Sequence, residues 1–288
     1  MNKKVIKGFD EKGNPIELEM DLELTLDNYY STDANMEYMS ASQFKDFEKC
    51  ELYGLMKAKG EYLEEKTKPM LMGGYIDAYF SNRLEEYKQE NPQIFKKDGT
   101  LLKDFEKVEE CIRVAENDEL FMSRTKGEKQ AILVGVIGGV KYKGAIDFLN
   151  DDGIDDLKLV ASIYEPVWVE RDGRNIRTNF IDAYEYDLQG AIYKELVAIN
   201  RNKDLPFNIN ALSKEEEPDK AIINIPNDIL ANKLEKVVEK SMRFDLIKKG
   251  IIEPRGCGVC PICRKYKKLD KVLNYKEVFK VGDNDEPR

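Results

Sequence analysis

The 288-residue sequence contains no histidine. That absence removes zinc-protease motifs, Ser-His-Asp triads, His-dependent acid–base chemistry and His-metal nucleases. Any catalysis must run on carboxylates, Lys, Tyr, Cys or a bound metal. Long apolar runs are missing too. None approaches the roughly 20 residues of a membrane span, so no membrane association is expected. The first residues, Met1-Asn2-Lys3-Lys4-Val5-Ile6-Lys7-Gly8, lack the apolar stretch of a signal peptide. A cytoplasmic protein is expected, with cysteines reduced or metal-bound rather than paired. Positive charge is in deficit, the formal net charge being −9. This counts modestly against tight non-specific binding to a polyanion. Local distribution is the better guide, and basic residues gather at Arg264-Lys265-Tyr266-Lys267-Lys268 and at Lys248-Lys249.

What is present argues for a folded chain. Hydrophobic residues make up 42%, with 12 Phe and 15 Tyr, enough to bury a sizeable core. One domain over 1–288 is expected, with an N-terminal extension (1–37), a core (38–249) and a cysteine-bearing C-terminal segment and tail (250–288). A strand pair should flank Asp10-Glu11-Lys12-Gly13-Asn14-Pro15. Ser40-Ala41-Ser42-Gln43 has the form of a capping box, predicting a helix to residue 58. Further helices are predicted over 70–89, with Pro69 near the first turn, and over 102–117. Strands follow over 131–138, 140–149 and 154–160, with a tight turn at Gly138-Gly139. A short strand is predicted at 166–169, a helix over 179–199, a strand over 220–226, and a helix through Lys249 capped by Asn227. This order predicts an α/β fold, a mixed central β-sheet flanked by helices.

The chemistry concentrates on one hairpin. Lys143-Gly144-Ala145-Ile146-Asp147-Phe148-Leu149 and Gly153-Ile154-Asp155-Asp156-Leu157-Lys158-Leu159-Val160 are separated by the turn sequence Asn150-Asp151-Asp152-Gly153. Such a hairpin brings Asp147 beside Asp156, with Lys158 on the same face as Asp156. Two carboxylates and an ammonium at one strand edge can hold a hard divalent cation and a polarised water. Downstream, Gln189 and Tyr193 are spaced i,i+4 on one helical face. Glu128 and Asp155 are weaker candidates, and neither is expected to be a ligand.

Cys257-Gly258-Val259-Cys260-Pro261-Ile262-Cys263 is a compact thiolate group whose spacing suits a metal or cluster. A fourth ligand is needed, and Cys50 is the obvious candidate. Cys111, on a charged helix, reads as a buried small apolar residue.

In this order, the hairpin acid, Asp156-Leu157-Lys158 and Gln189…Tyr193 resemble the PD-(D/E)XK nuclease superfamily, in its RecB-like branch. The resemblance is nearest to phage-type exonucleases related to the exodeoxyribonuclease VIII (RecE) nuclease domain, and it covers residues 38–265. It implies a restriction-endonuclease-like core. It also implies Mg2+ (or Mn2+) held by Asp147 and Asp156 with the Leu157 carbonyl. The family's early Gly-x-x-x-His is matched by Gly73-Gly74-Tyr75-Ile76-Asp77, placing Asp77 where the family has a histidine ligand. Lys158 would orient or deprotonate the attacking water. Gln189 and Tyr193 would contact DNA or steady the Lys158 region; as a plain packing pair, Tyr would lie under the sheet and Gln bond backbone.

RecB-like nucleases of the AddB type carry one Cys before the core and three after it, holding a 4Fe-4S cluster. That implies the same cofactor on Cys50, Cys257, Cys260 and Cys263. The second gap of the trio is shorter here than in those relatives, which leaves a four-cysteine zinc site as the alternative.

The implied function is a metal-dependent DNA exonuclease that resects double-stranded DNA ends for phage recombination. A single-strand annealing protein is the implied partner, and exonucleases of this kind often form ring-shaped homo-oligomers. The alternative is a catalytically degenerate nuclease-fold module for DNA binding or assembly, motivated by the missing histidine and the acidic charge.

Overall fold

The structure is a computed structural model and describes residues 4–171, 174–269 and 271–275. Strands β1 (Val5–Phe9) and β2 (Pro15–Glu19) form the expected N-terminal hairpin. Six helices or helical pieces follow: α1 (Thr32–Glu37), α2 (Ala41–Lys49), α3 (Glu51–Ala58), α4 (Lys68–Phe80), α5 (Leu84–Glu90) and α6 (Lys103–Glu116). A short α7 (Glu119–Ser123) leads into the strand block β3 (Glu128–Ile137), β4 (Val140–Asn150) and β5 (Gly153–Val160). Then come β6 (Val167–Arg171), β7 (Arg174–Thr178), α8 (Phe180–Tyr184), α9 (Tyr186–Arg201), β8 (Phe207–Ser213), β9 (Lys220–Ile225), α10 (Asn227–Lys248) and α11 (Pro261–Lys265).

Seven strands make one mixed sheet in the order β2-β1-β3-β4-β5-β8-β9, while β6 and β7 pair apart as a two-stranded ribbon. The expected α/β architecture is present. The β3–β4 turn is a two-residue loop with φ of 58° at Gly138 and 79° at Gly139. Two positive φ values in succession define a type I′ turn, whose twist matches that of the strands. β5 and β8 run parallel, with α9 as the crossover. One face of the sheet packs on α2, α9 and α10, through Phe44, Leu188, Ile192, Leu196 and Phe244. The other packs on α4 and α6, through Tyr75, Ile76, Phe105 and Ile112.

Several elements depart from the sequence expectation. Three helices predicted as continuous are broken, at Cys50 (extended, φ −169°), Asn82 (φ 62°) and Glu185 (φ 52°). No Gly or Pro marks these breaks, so helical periodicity runs straight through them. The cap of α10 is Pro226, and Asn227 makes no side-chain capping bond. β8 is absent from the predicted elements. Its Asn208 and Asn210 interrupt the apolar run, yet the strand is buried along its whole length and lies beside β5. Lys248, half of an expected basic patch, is 4% exposed. Its ammonium donates to the Tyr38 carbonyl and to Gln43 Oε1. No helix among the described residues is long and apolar enough to cross a membrane.

Candidate active site and cysteine centre

The site forms where β4 and β5 part. The two strands pair only from Phe148↔Asp155 to Asn150↔Gly153, after which β5 keeps its ladder with β8 alone. The gap is filled by a side chain: Asp147 Oδ2 accepts the Leu157 N–H at 2.9 Å. On the far side of Asp147, the β3–β4 ladder skips the Gln130–Asp147 pair, and Gln130 sits at φ 51°. Such a conformation costs a non-glycine residue of order 1–3 kcal/mol and concentrates at functional sites. Side-chain alternation slips there as well. Ile146 packs toward α9, whereas Phe148, two residues on, packs toward α4 and α6.

Gln130 bridges two of the expected acids. Its Nε2 donates to Asp77 Oδ1 at 2.9 Å and to Asp147 Oδ1 at 3.3 Å. A single amide thus draws α4 and β4 together. Asp77 also lies 3.8 Å from the Arg83 guanidinium. Asp156 is fully buried. Its Oδ1 accepts from Gln189 Nε2 at 2.7 Å, so Gln189 bonds a carboxylate rather than backbone. Its Oδ2 pairs with the Lys158 ammonium. Tyr193 is buried, its ring 6.4 Å from that of Phe207 and its edge against Gly144, and it lines the cavity that also holds Asp77 and Asp147.

Three residues at the site lie outside the expected set: Gln130, Lys45 and Tyr186. Lys158 Nζ lies 4.9 Å from the Tyr186 ring centroid and Lys45 Nζ lies 5.6 Å from it. Lys45 also donates to the Tyr184 carbonyl. It follows the capping box by two residues, and nothing in sequence spacing ties it to Lys158. Asp155, by contrast, is spent structurally, receiving bonds from Arg124, Asn150 and Asn208. Glu128 pairs with Arg201 at the surface. Neither joins the site.

The electrostatics are those of a crowded acidic pocket. Burial, then the charges of Asp156 and Asp77, holds the Asp147 carboxyl well above its usual range. Burial also raises Asp77, with Arg83 and Lys158 pulling the other way. For Lys158, burial opposes the charge, but Asp156 and Asp147 outweigh it and keep the side chain an ammonium. Burial and the neighbouring Lys158 charge bring Lys45 down to about 8.

A hard cation suits this donor set. The oxygens are carboxylate, and buried Asp147 is repelled by Asp156 and Asp77, a repulsion that a cation would relieve. The acids are spread, however. Among the described residues, only the cysteines form a set of three or more such ligands with all atoms within 4.8 Å of one another.

That set is Cys50, Cys257, Cys260 and Cys263. The extended backbone at Cys50 ends α2 and presents the thiol at the start of α3. The C-terminal segment is held against α3 by Leu52 N–H on the Arg255 carbonyl and by Arg255 N–H on Glu51 Oε2, a carboxylate that also pairs with Arg243 of α10. Sulfur–sulfur separations are 3.6 Å (Cys50–Cys263), 3.8 Å (Cys50–Cys260) and 3.9 Å (Cys257–Cys263). A tetrahedral ion with metal–sulfur bonds of about 2.3 Å requires edges of about 3.8 Å. Backbone N–H groups of Cys257, Cys260 and Cys263 point at neighbouring sulfurs. Cys111 lies apart, buried, its thiol on the Ser213 carbonyl.

Residues 40–266 match the family described as "PDDEXK-like domain of unknown function (DUF3799)". Every acid, lysine and cysteine named above as a candidate ligand or site residue falls inside that span. The chain is also similar to a "Putative exonuclease" from Eubacterium rectale known from a crystal structure. The two are 38% identical over 89% of this chain and 98% of that one, with a TM-score of 0.83. No curated protein matches the chain.

Proposed function

Because the chain belongs to the PDDEXK-like family, within the PD-(D/E)XK nuclease superfamily, we propose that it is a metal-dependent DNA exonuclease acting on double-stranded ends. The observation that carries this reading is the meeting of Asp77, Asp147, Lys158 and Gln189 at one cleft, with Asp156 buried behind them between Gln189 and Lys158. Asp147, Asp156, Asp77 and the Leu157 carbonyl would hold the cation. When bound, Mg2+ or Mn2+ would polarise water and a phosphodiester oxygen.

The protein's own groups divide the remaining work. Lys158, kept protonated by two carboxylates, orients the nucleophile and offsets charge on the phosphoryl oxygens rather than acting as base. Gln189 holds Asp156 in place. Gln130 ties Asp77 to Asp147 through one amide nitrogen. Tyr193 lines the cavity beside Asp77 and Asp147 and steadies α9 against the sheet. End resection in recombination beside a single-strand annealing partner rests on the RecE-like resemblance.

For the cysteines, the sulfur spacing supports a single tetrahedral zinc ion over a 4Fe-4S cluster, whose several irons would spread the sulfurs further apart. The site staples the C-terminal segment onto α3 and has a structural role.

The test is Mg2+-dependent degradation of linear duplex DNA compared with covalently closed circles. Degradation of the linear form alone is expected, falling roughly a hundred- to a thousand-fold in Asp156→Ala and in Lys158→Ala. Metal-stimulated cleavage untouched by either substitution overturns the site assignment. Wild-type DNA binding without cleavage establishes instead the degenerate binding module.

A further inference from the structure

The chain has one tryptophan, Trp168, and it is 66% exposed. A lone tryptophan is ordinarily drawn into a core. Here it stands on the outer face of the β6–β7 ribbon, which shares no ladder with the main sheet. Trp168 pairs directly with Arg177, and Glu170 with Asn175. Paired residues share a face, and these four are all exposed. The opposite face, with Val167, Val169, Ile176 and Thr178, is half-buried, and Val167 packs on the main core. The ribbon therefore has an inner side that anchors it and an outer side offering an indole beside a guanidinium.

Its placement ties it to the candidate active site. It is inserted between β5, which ends just past Lys158, and α8–α9, which carry Tyr186 and Gln189. α8 packs against β6. From α8, a chain of rings runs back to the site: Tyr184 to Tyr186 at 5.7 Å, then Tyr186 to the Lys158 ammonium at 4.9 Å. Tyr164 on the approach to the ribbon is 77% exposed, and Tyr184 is 50% exposed. On the other rim of the cleft, Tyr30 is 80% exposed and lines the same cavity as Asp77 and Asp147. Exposed aromatics thus border the carboxylates on both sides.

We propose that Trp168, with Arg177 beside it, is a stacking platform for an unpaired base of single-stranded DNA leading into the Lys158 site. An aromatic face accepts any base, and a neighbouring guanidinium contributes a phosphate contact. Glu170 on the same face offsets the Arg177 charge, so the indole rather than net charge distinguishes this face. The occupant is a single strand because a base inside a duplex is stacked on both faces, whereas each unpaired base has a face free for the indole. The inference rests on the nuclease reading for its substrate class, but it does not need turnover to be tested.

The sole tryptophan makes the experiment direct. The protein is titrated with oligothymidylate in a chelator, which prevents cleavage, and indole fluorescence is followed beside fluorescence anisotropy of labelled DNA. Saturable quenching by the single strand is expected, with little quenching by a blunt duplex of equal length. Trp168→Ala should weaken single-strand binding about ten-fold, Trp168→Phe should retain it, and Arg177→Ala should flatten the salt dependence. Unquenched fluorescence together with unchanged affinity of Trp168→Ala overturns the proposal. Equal loss in Trp168→Phe and Trp168→Ala also overturns it, since any aromatic ring should serve. The two readings fail separately. Quenching with cleavage insensitive to Asp156→Ala sinks the active-site assignment alone, and the reverse pattern sinks the ribbon alone.

Discussion

The two ligand-bearing regions of this protein are built on opposite plans. Three of the six sulfur pairs lie at 3.6–3.9 Å and all within 4.8 Å, with backbone N–H groups already directed at them. The carboxylates are spread along the cleft, Asp77 and Asp147 tied through the Gln130 amide and Asp156 set between Gln189 and the Lys158 ammonium. A closed cage of soft ligands suits a permanent structural ion. A spread set of hard oxygens suits a cation that must keep positions for water and substrate. A site's job thus shows in how much of its coordination the protein completes by itself.

That contrast can be broken by experiment. The largest effect beyond the active-site variants should come from the cage. Cys263→Ser is expected to lose the bound ion and more than about 4 kcal/mol of stability, read by urea unfolding and metal analysis. The wild type should carry one zinc per chain and be colourless. A brown protein absorbing near ~400 nm would reverse the assignment to iron and sulfur. Mild chelation should abolish nuclease activity and leave that ion in place; losing both together would erase the distinction between the regions.

Next in size is Gly256→Ala. A Cβ there would lie 2.9 Å from Cys263 Sγ, so a ligand must move. A cost of about 1–3 kcal/mol is expected, with weakened ion retention. An unchanged melt would show that the cage is looser than its spacing implies.

The smallest effect sharpens the acidic side. Because the folded protein raises the Asp147 pKa, its contribution to stability is full below the ordinary carboxylate value of about 3.9 and is lost as pH rises through the raised value. An amide in its place cannot ionise. In chelator, therefore, Asp147→Asn should melt above the wild type, by a margin that grows between pH values of about 5 and 7. Excess Mg2+ should remove or invert the difference. A margin that stays flat with pH would mean that Asp147 is not in like-charge contact with Asp77 and Asp156.

Local patterns are legible where chemistry and periodicity agree. The β3–β4–β5 block, the Gly138-Gly139 turn and α6 follow from alternation, turn residues and helical spacing. Of the expected set, Asp77, Asp147 and Lys158 line one cleft, and Asp156 lies buried behind it, paired with Lys158. Illegible are the breaks at Cys50, Asn82 and Glu185, because their backbone geometry is imposed by packing and carries no Gly or Pro signature. The hairpin reading holds only half of the geometry. Asp147 meets β5 through its carboxylate on the Leu157 N–H, after the ladder has ended, and side-chain alternation slips at the same residue.

Residue order settled which chemistries were open. Without histidine, what remained was acids, one well-placed lysine and a thiol trio, and the order in which they occur pointed to a nuclease fold. Only folding in three dimensions put Gln130 and Lys45 at the site, kept Asp155 out of it, and turned Trp168 outward on its own ribbon. The reason is physical. Spacing along a chain sets which side chains share a face, whereas the parting of two strands and the approach of a distant helix set which faces meet.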